Sequence, residues 1–294
     1  MSHPVTGIDH VFLLVSDLET SAARYRRLGF TLSPRGLHSP QMGSANYTMM
    51  LRGDYIELLG MVAETEFNQS QRQLLQTSGE GLRAIACRIT GAETAREALA
   101  ELGIAATPVI NFSRPLPLPD GSEGVASFSI TQFAPQEMPV GHVFMCQHNT
   151  PEMVWRPELQ THANGATDID AVIVATADPA AKAAEFARLF AAGTVTTAAD
   201  GSAVVETGRD SAKIICMRVE AAGRAYAPEA VAATPADGFT ALRLRVADLA
   251  QTARVLRENG VAFRDAAQDA TKGEAGLWVA PAEASGMILH FVSA

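Results

Sequence analysis

The chain opens on a pattern that recurs along its length: a short apolar run that alternates in character, a polar break, then apolar residues at helical spacing. Gly7 to Val15 is followed by Asp17 and then by Leu18, Ala22, Tyr25 and Leu28. Alternation over a few residues predicts a strand, and spacing of three and four predicts a helix. Laid without a gap over the segment that starts at Gly238, this stretch pairs Gly7 with Gly238, Val15 with Val246, Asp17 with Asp248 and Gly29 with Gly260. The segment from Gly81 fits the same frame, with Leu102 and Gly103 opposite Leu28 and Gly29, and the segment from Asp168 is a looser fourth copy. Such self-similarity marks a repeated supersecondary unit. Asp17 and Asp248 stand where an N-cap accepts the free amides of a first turn, and Gly29, Gly103 and Gly260 stand where a left-handed C-cap ends a helix.

Strand-like runs separated by turn residues follow each helix: 44–53 and 54–61 in the first copy, 125–133 and 142–147 in the second, 202–208 and 213–219 in the third, 275–281 and 286–292 in the fourth. The second copy is interrupted by residues 108–124, rich in Pro, Gly and Ser, which reads as a loop. The unit is therefore β-α-β-β-β, and four copies make an α+β protein. One such unit leaves a sheet face exposed, so units must pair. Pairing of the first with the second, and of the third with the fourth, is expected because residues 151–167 read as a connection between halves. The expected domains are 1–155 and 156–294, each a bowl whose concave side is a natural ligand pocket.

Composition narrows the possible partners. The 294 residues are 47% hydrophobic and 19% charged, as in ordinary globular proteins. A formal charge of −9, with no cluster of Lys or Arg, argues against a nucleic-acid partner. No apolar run approaches the roughly 20 residues that span a bilayer, and the start lacks a secretory pattern, so no membrane partner and a cytoplasmic location are expected. Cys87, Cys146 and Cys216 lie far apart and read as reduced thiols; Cys87 and Cys216 sit in apolar runs as core residues, while the neighbours of Cys146 leave its role open. Four units already build two bowls in one chain, which suits a monomer or a homodimer.

This order of elements, with Ile8-Asp9-His10-Val11 at the first strand and Tyr55-Ile56-Glu57-Leu58 at the fourth, resembles the vicinal oxygen chelate superfamily of glyoxalases, bleomycin-resistance proteins and extradiol dioxygenases. Leu37-His38 followed by Gly43-Ser44-Ala45-Asn46, with the stretches around Cys146 to Trp155 and His162 to Gly165, narrows the likeness to glyoxalase-like proteins. The resemblance implies that His10 and Glu57 bind a divalent metal ion, whose open positions chelate two adjacent oxygens of a small-molecule substrate. Imidazole and carboxylate suit Zn²⁺, Mn²⁺, Fe²⁺, Co²⁺ or Ni²⁺ alike.

The other copies carry Ala84, Ala171 and Ala241 where the first has His10, which excludes a two-histidine, two-glutamate site. At the position of Glu57 the second copy offers Gln147 beside His148 and the fourth offers His290; a third ligand is expected from the second copy, His148 or Gln147, with His290 the alternative if the first copy pairs with the fourth. Glu57, His38 and His148 are the expected catalytic groups. His38 changes charge near neutral pH, and His148 sits in a polar cluster directly after a strand, where loops commonly carry function. Asn46, Arg114, Gln147 and Trp155 are the expected substrate contacts, Arg114 because its planar fork matches a carboxylate or phosphate. For each histidine the competing reading is a core or loop side chain bonded to backbone; His3, His142 and His162 are ligands only in a shifted register, and Trp278 is core or pocket wall.

No phosphate loop, nucleophile elbow or zinc-protease helix occurs in the sequence. The expectation is a metal-dependent lyase or isomerase of glyoxalase type. The alternatives are an Fe²⁺ ring-cleaving dioxygenase and a non-catalytic binding or resistance protein.

Overall fold

The computed structural model describes residues 2–118, 120–236, 238–266 and 276–294. In the first half, β1 (Gly7–Val15), α1 (Leu18–Arg27), β2 (Gly36–Leu37), β3 (Ser44–Met50) and β4 (Tyr55–Met61) form the first unit. A connecting helix α2 (Gln69–Ser78) leads to β5 (Gly81–Arg88), α3 (Ala92–Glu101), β6 (Ile110–Pro117), β7 (Glu123–Gln132) and β8 (His142–His148). The second half runs β9 (Ala166–Thr176), α4 (Pro179–Ala187), β10 (Thr194–Thr197), β11 (Ala203–Glu206) and β12 (Lys213–Arg218). Then come α5 (Val219–Tyr226), α6 (Pro228–Ala232), β13 (Ala241–Val246), α7 (Leu249–Glu258), β14 (Arg264–Asp265), β15 (Gly276–Val279) and β16 (Ile288–Ser293).

Two eight-stranded mixed sheets result, ordered β2-β3-β4-β1-β5-β8-β7-β6 and β10-β11-β12-β9-β13-β16-β15-β14. In each, the first strands of two units run antiparallel side by side, as β1 with β5 and β9 with β13, and each first strand is parallel to the last strand of its own unit. The first unit is therefore joined to the second and the third to the fourth, as their order along the chain predicts.

The predicted helix boundaries have their mechanism. Asp17 accepts from Thr20 N at 2.7 Å and Asp248 from Ala250 N at 2.8 Å. Gly29, Gly103 and Gly260 take φ of +88°, +71° and +67°, a region costly for any residue with a Cβ. Residues 108–124 differ from expectation: they hold the whole of β6 and the first residues of β7 rather than a loop alone. Pro115 and Pro117 are tolerated because β6 is an edge strand, hydrogen-bonded among the described residues to β7 alone, so half of its amides have no ladder to join. The helices α2, α5 and α6 lie outside the repeat and were not predicted.

One apolar cluster takes the helices and the helix-bearing faces of both sheets, including Leu13 of β1, Tyr25 of α1, Leu99 of α3, Phe186 of α4 and Leu256 of α7. Each concave face has a separate cluster of its own. Polar contacts also cross between the halves: Arg52 pairs with Asp168 at 2.7 Å, and Asp54 accepts from Ile169 N at 3.2 Å. No helix among the described residues is long and apolar enough to cross a membrane.

Asp54 gives this junction a pH signature. Burial raises its carboxyl to about 8, against the partial relief of the Ile169 amide. An unfolded aspartate titrates near 3.9, so folding takes up a proton between these two values. The contribution is fully present below about 4 and is lost as the pH rises through the folded value. Urea unfolding at a series of pH values should show wild type losing stability from about pH 4 to pH 8 relative to Asp54→Asn, which has no such proton to lose.

Candidate functional site

The concave face of the first sheet encloses about 880 Å³, including the part open to solvent. Its wall is aromatic, with Phe12, Phe112, Phe128 and Phe144, and its polar groups include His10, His38, Asn46, Glu57 and Arg114. The floor is set by β1 and β4, which run parallel with His10 opposite Tyr55 and Phe12 opposite Glu57.

Strict alternation would send Asp9 and His10 to opposite faces of β1. The pairing with β5 steps from Ile8 opposite Cys87 to His10 opposite Ala86, so Asp9 is an extra residue, a β-bulge. The bulge turns the Asp9 carboxylate onto the side of His10. Asp9 Oδ1 accepts from His10 Nδ1 at 2.7 Å and from His148 Nε2 at 2.9 Å, and Arg88 Nε stands 4.0 Å from Oδ2. Asp9 is only 3% exposed. Burial alone would favour its neutral form, but the hydrogen bonds and charges of the two imidazoles outweigh it and hold the carboxyl well below the usual range.

A carboxylate can only accept, so His10 donates from Nδ1 and presents Nε2 to the cavity. There Nε2 lies 3.8 Å from Glu57 Oε2, beyond hydrogen-bond range. Glu57 Oε1 is fixed by Asn46 Nδ2 at 2.7 Å, while Asn46 Oδ1 has no partner. The His10 ring is clamped between a stacked Tyr55, centroids 4.2 Å apart, and the edge of Phe144. His38, from the segment between β2 and β3, has Nδ1 against Ser44 Oγ at 2.8 Å; burial lowers its pKa, the charge of Glu57 opposes this and that of Arg114 adds to it. Arg114 is 7% exposed and makes no hydrogen bond or ion pair among the described residues.

The remaining expected residues fall elsewhere. His148 stands with Asp9, its ring against Trp155 at 4.7 Å and Phe128 at 5.1 Å, and its buried Nδ1 is without a hydrogen bond. Trp155 touches Tyr55 and His148 but does not line the cavity. Gln147 is turned away, its Oε1 accepting from Ala92 N at the start of α3. The register of β5 with β8 puts Phe144, not Gln147, at the position of Glu57, and His142 at that of Tyr55. His290 lies in the other sheet, 3.0 Å from Tyr226 Oη through Nδ1, so it does not meet His10. His142, set aside in the sequence reading, lines the cavity; burial lowers it to about 4. Asp9 was missed altogether, although the dipeptide Ile-Asp at 8–9 recurs at 169–170.

The donor chemistry suits a divalent ion. The ring of His10 is held from behind by a carboxylate, as metal-binding histidines commonly are, and its Nε2 faces a carboxylate oxygen across an open gap. Ligand-type atoms of Asp9, His10, Cys146 and His148 also lie within 4.8 Å of one another, a group that could hold a metal ion. Ala84 and Phe144 offer nothing at the matching positions of the second unit, so an ion at His10 and Glu57 would keep places for water or substrate.

The sequence profile of the glyoxalase-like domain matches residues 8–190, more than half of the chain. The chain belongs to the glyoxalase-like domain family. No curated protein matches this glyoxalase-like chain in sequence. Among solved structures it is similar to a hypothetical protein from Staphylococcus aureus, at 11% identity and a TM-score of 0.65, covering 97% of this chain and 98% of that one. A mutant of 4-hydroxymandelate synthase from Streptomyces coelicolor matches with 11% identity and a TM-score of 0.59, covering 99% and 93% of the two chains. A variant of homoprotocatechuate 2,3-dioxygenase from B. fuscum matches at 13% identity and 0.58, covering 100% and 72%. At these identities the likeness is one of fold, which the three chains share with this one over nearly its whole length.

The two bowls of this glyoxalase-like protein are unequal. In the second, the bulge recurs at Asp170, between Ile169 and Ala171, but its carboxylate is paired with Arg243 and Arg245. Ala171 replaces His10, Ile215 stands at the position of Glu57, and Tyr226 of α5 and Val231 of α6 pack on the concave face with Ile173 and Trp278. Asp9→Ala would leave two buried imidazoles without their shared acceptor. It should lower the unfolding free energy at pH 7 by roughly 3–5 kcal/mol, as breaking a buried ion pair does, measured by urea denaturation.

Proposed function

We propose that this glyoxalase-like protein is an enzyme whose first bowl holds a divalent metal ion at His10 and Glu57 and moves a proton on a small oxygenated organic substrate, a lyase or isomerase reaction. The observation that carries this reading is the pair of groups themselves, Nε2 and Oε2 facing each other at 3.8 Å inside an apolar bowl, each anchored from behind. When bound, the ion supplies a Lewis acid that polarises vicinal oxygens and stabilises the charge that develops on them.

The chain's own residues supply the rest. Asp9 fixes the ring and tautomer of His10, and Asn46 fixes the rotation of Glu57. His38 is held toward its neutral form by burial. With Nδ1 engaged by Ser44, its Nε2 is the ring atom left to take up or return a proton, the role of a general base. The phenyl rings exclude water and strengthen each of these interactions by lowering the local dielectric.

A second reading, a binding protein without turnover, is favoured by Ala84 and Phe144, which remove the ligands of the second unit. The dioxygenase alternative has less support: the similar structures speak for the fold, and Ala171 and Ile215 leave the second bowl without the corresponding ligands.

Elemental mass spectrometry of untagged protein should find about one equivalent of a transition metal in wild type and little in His10→Ala. Wild type that arrives metal-free and takes up none of Zn²⁺, Mn²⁺, Fe²⁺, Co²⁺ or Ni²⁺ would rule the proposal out. Glu57→Gln separates the two readings, because turnover should collapse in an enzyme whereas ligand retention should barely change in a binding protein.

A further inference from the structure

We infer that the first bowl accepts an organic carboxylate, its charged end held by Arg114 and its body laid against the phenyl wall. This rests on the reading of that bowl as a substrate site and names the chemical class it takes.

Arg114 lies on β6 opposite Ala126 of β7, and alternation along the strand gives it the same face as Phe112 and Leu116. It lines the cavity and is more than nine-tenths buried, yet no hydrogen bond or ion pair among the described residues satisfies its guanidinium. Buried arginines are almost always paired, so its partner must come from the cavity. Glu57 is near enough to be felt electrostatically, but its oxygens are turned to Asn46 and His10. The space around the guanidinium is kept open by the absence of a side chain at Gly36, where an added Cβ would lie 2.7 Å from Arg114 Nη1 and 2.2 Å from Asn46 Oδ1.

Charge decides between a carboxylate and a phosphate. Among the described residues Arg114 is the one guanidinium lining the cavity. Arg156, whose charge acts on Arg114, is engaged by Pro117 O at 2.9 Å and Glu158 at 3.3 Å. His38 and His142 are held toward their neutral forms by burial, and Glu57 opposes added negative charge. With Glu57 committed to the proposed ion, the one guanidinium matches a monoanion that accepts two parallel N–H bonds and offers no second cationic group for a dianion. The stacked Phe112 and Phe128, centroids 5.1 Å apart, provide a surface for a flat apolar body.

Calorimetric titration of the full chain with phenylacetate, phenylacetamide and phenylphosphonate tests this, on protein as purified and after metal chelation. Wild type should bind phenylacetate about tenfold or more tightly than the amide, as expected of a charge-assisted bidentate bond. Arg114→Met should abolish that preference, so that the acid binds no more tightly than the amide, and should fold because it removes an unpaired buried charge. Arg114→Lys, which keeps the charge but loses the fork, should retain part of it and serves if the first variant fails to fold. Lack of saturable phenylacetate binding at millimolar concentration, equal binding of acid and amide, or a preference that survives in Arg114→Met overturns the inference, as does tighter binding of the phosphonate. A preference lost in His10→Ala or on chelation but kept in Arg114→Met puts the carboxylate on the metal, so that this inference falls and the metal reading stands. A preference that depends on Arg114 in a protein that takes up no metal gives the reverse.

Discussion

An ionised carboxylate shut away from water must be answered by donors, and Asp9 is the point around which the first bowl is organised. Two imidazole N–H groups answer it, one from the residue beside it and one from His148 at the end of β8. The bond to His10 sets which nitrogen of that ring faces the cavity, and the bond to His148 ties the two units of the sheet together across the bowl. Tyr55, Phe144, Phe128 and Trp155 close around the two rings. None of this is possible on a regular strand, because only the extra residue of the bulge lets consecutive side chains work on one side of the sheet.

The second half shows what the scaffold keeps when the candidate ligands are absent. The bulge and its aspartate persist at Asp170, so the demand for buried donors persists as well, and Arg243 and Arg245 meet it with permanent cations. A bowl whose acid is tied up in that way has no directed imidazole. Its concave face takes up the helices α5 and α6 instead, and becomes packing surface. The apolar cluster on the helical side runs through both halves, so the second bowl supports the first whether or not it binds anything.

In the first bowl the charged groups divide into those satisfied inside the protein and those left facing the cavity. Asp9 is satisfied by two histidines and Glu57 in part by Asn46. Nε2 of His10, Oε2 of Glu57 and the guanidinium of Arg114 are left facing the space, two of them suited to a cation and one to an anion. An apolar wall around such groups strengthens whatever they bind. Ligand pockets in general are mostly hydrophobic and draw their selectivity from few polar groups.

The sequence determined the order of strands and helices, the helix caps and the pairing of consecutive units, and it singled out His10 and Glu57 as candidates, because each of these depends on residues close together in the chain or on a recurring pattern. Local alternation could not reveal the bulge at Asp9, which exists only because β5 pairs with β1 one residue out of step. It also misplaced the register of β8, where Phe144 rather than Gln147 faces the position of Glu57. Nor could proline content distinguish a loop from an edge strand, since a missing amide is harmless only where no neighbour needs it. Which polar groups end up partnered, and therefore which ones are left for a ligand, depends on contacts across strands, from Asn46 with Glu57 to Asp9 with His148 more than a hundred positions away, and these come into being only when the sheet closes.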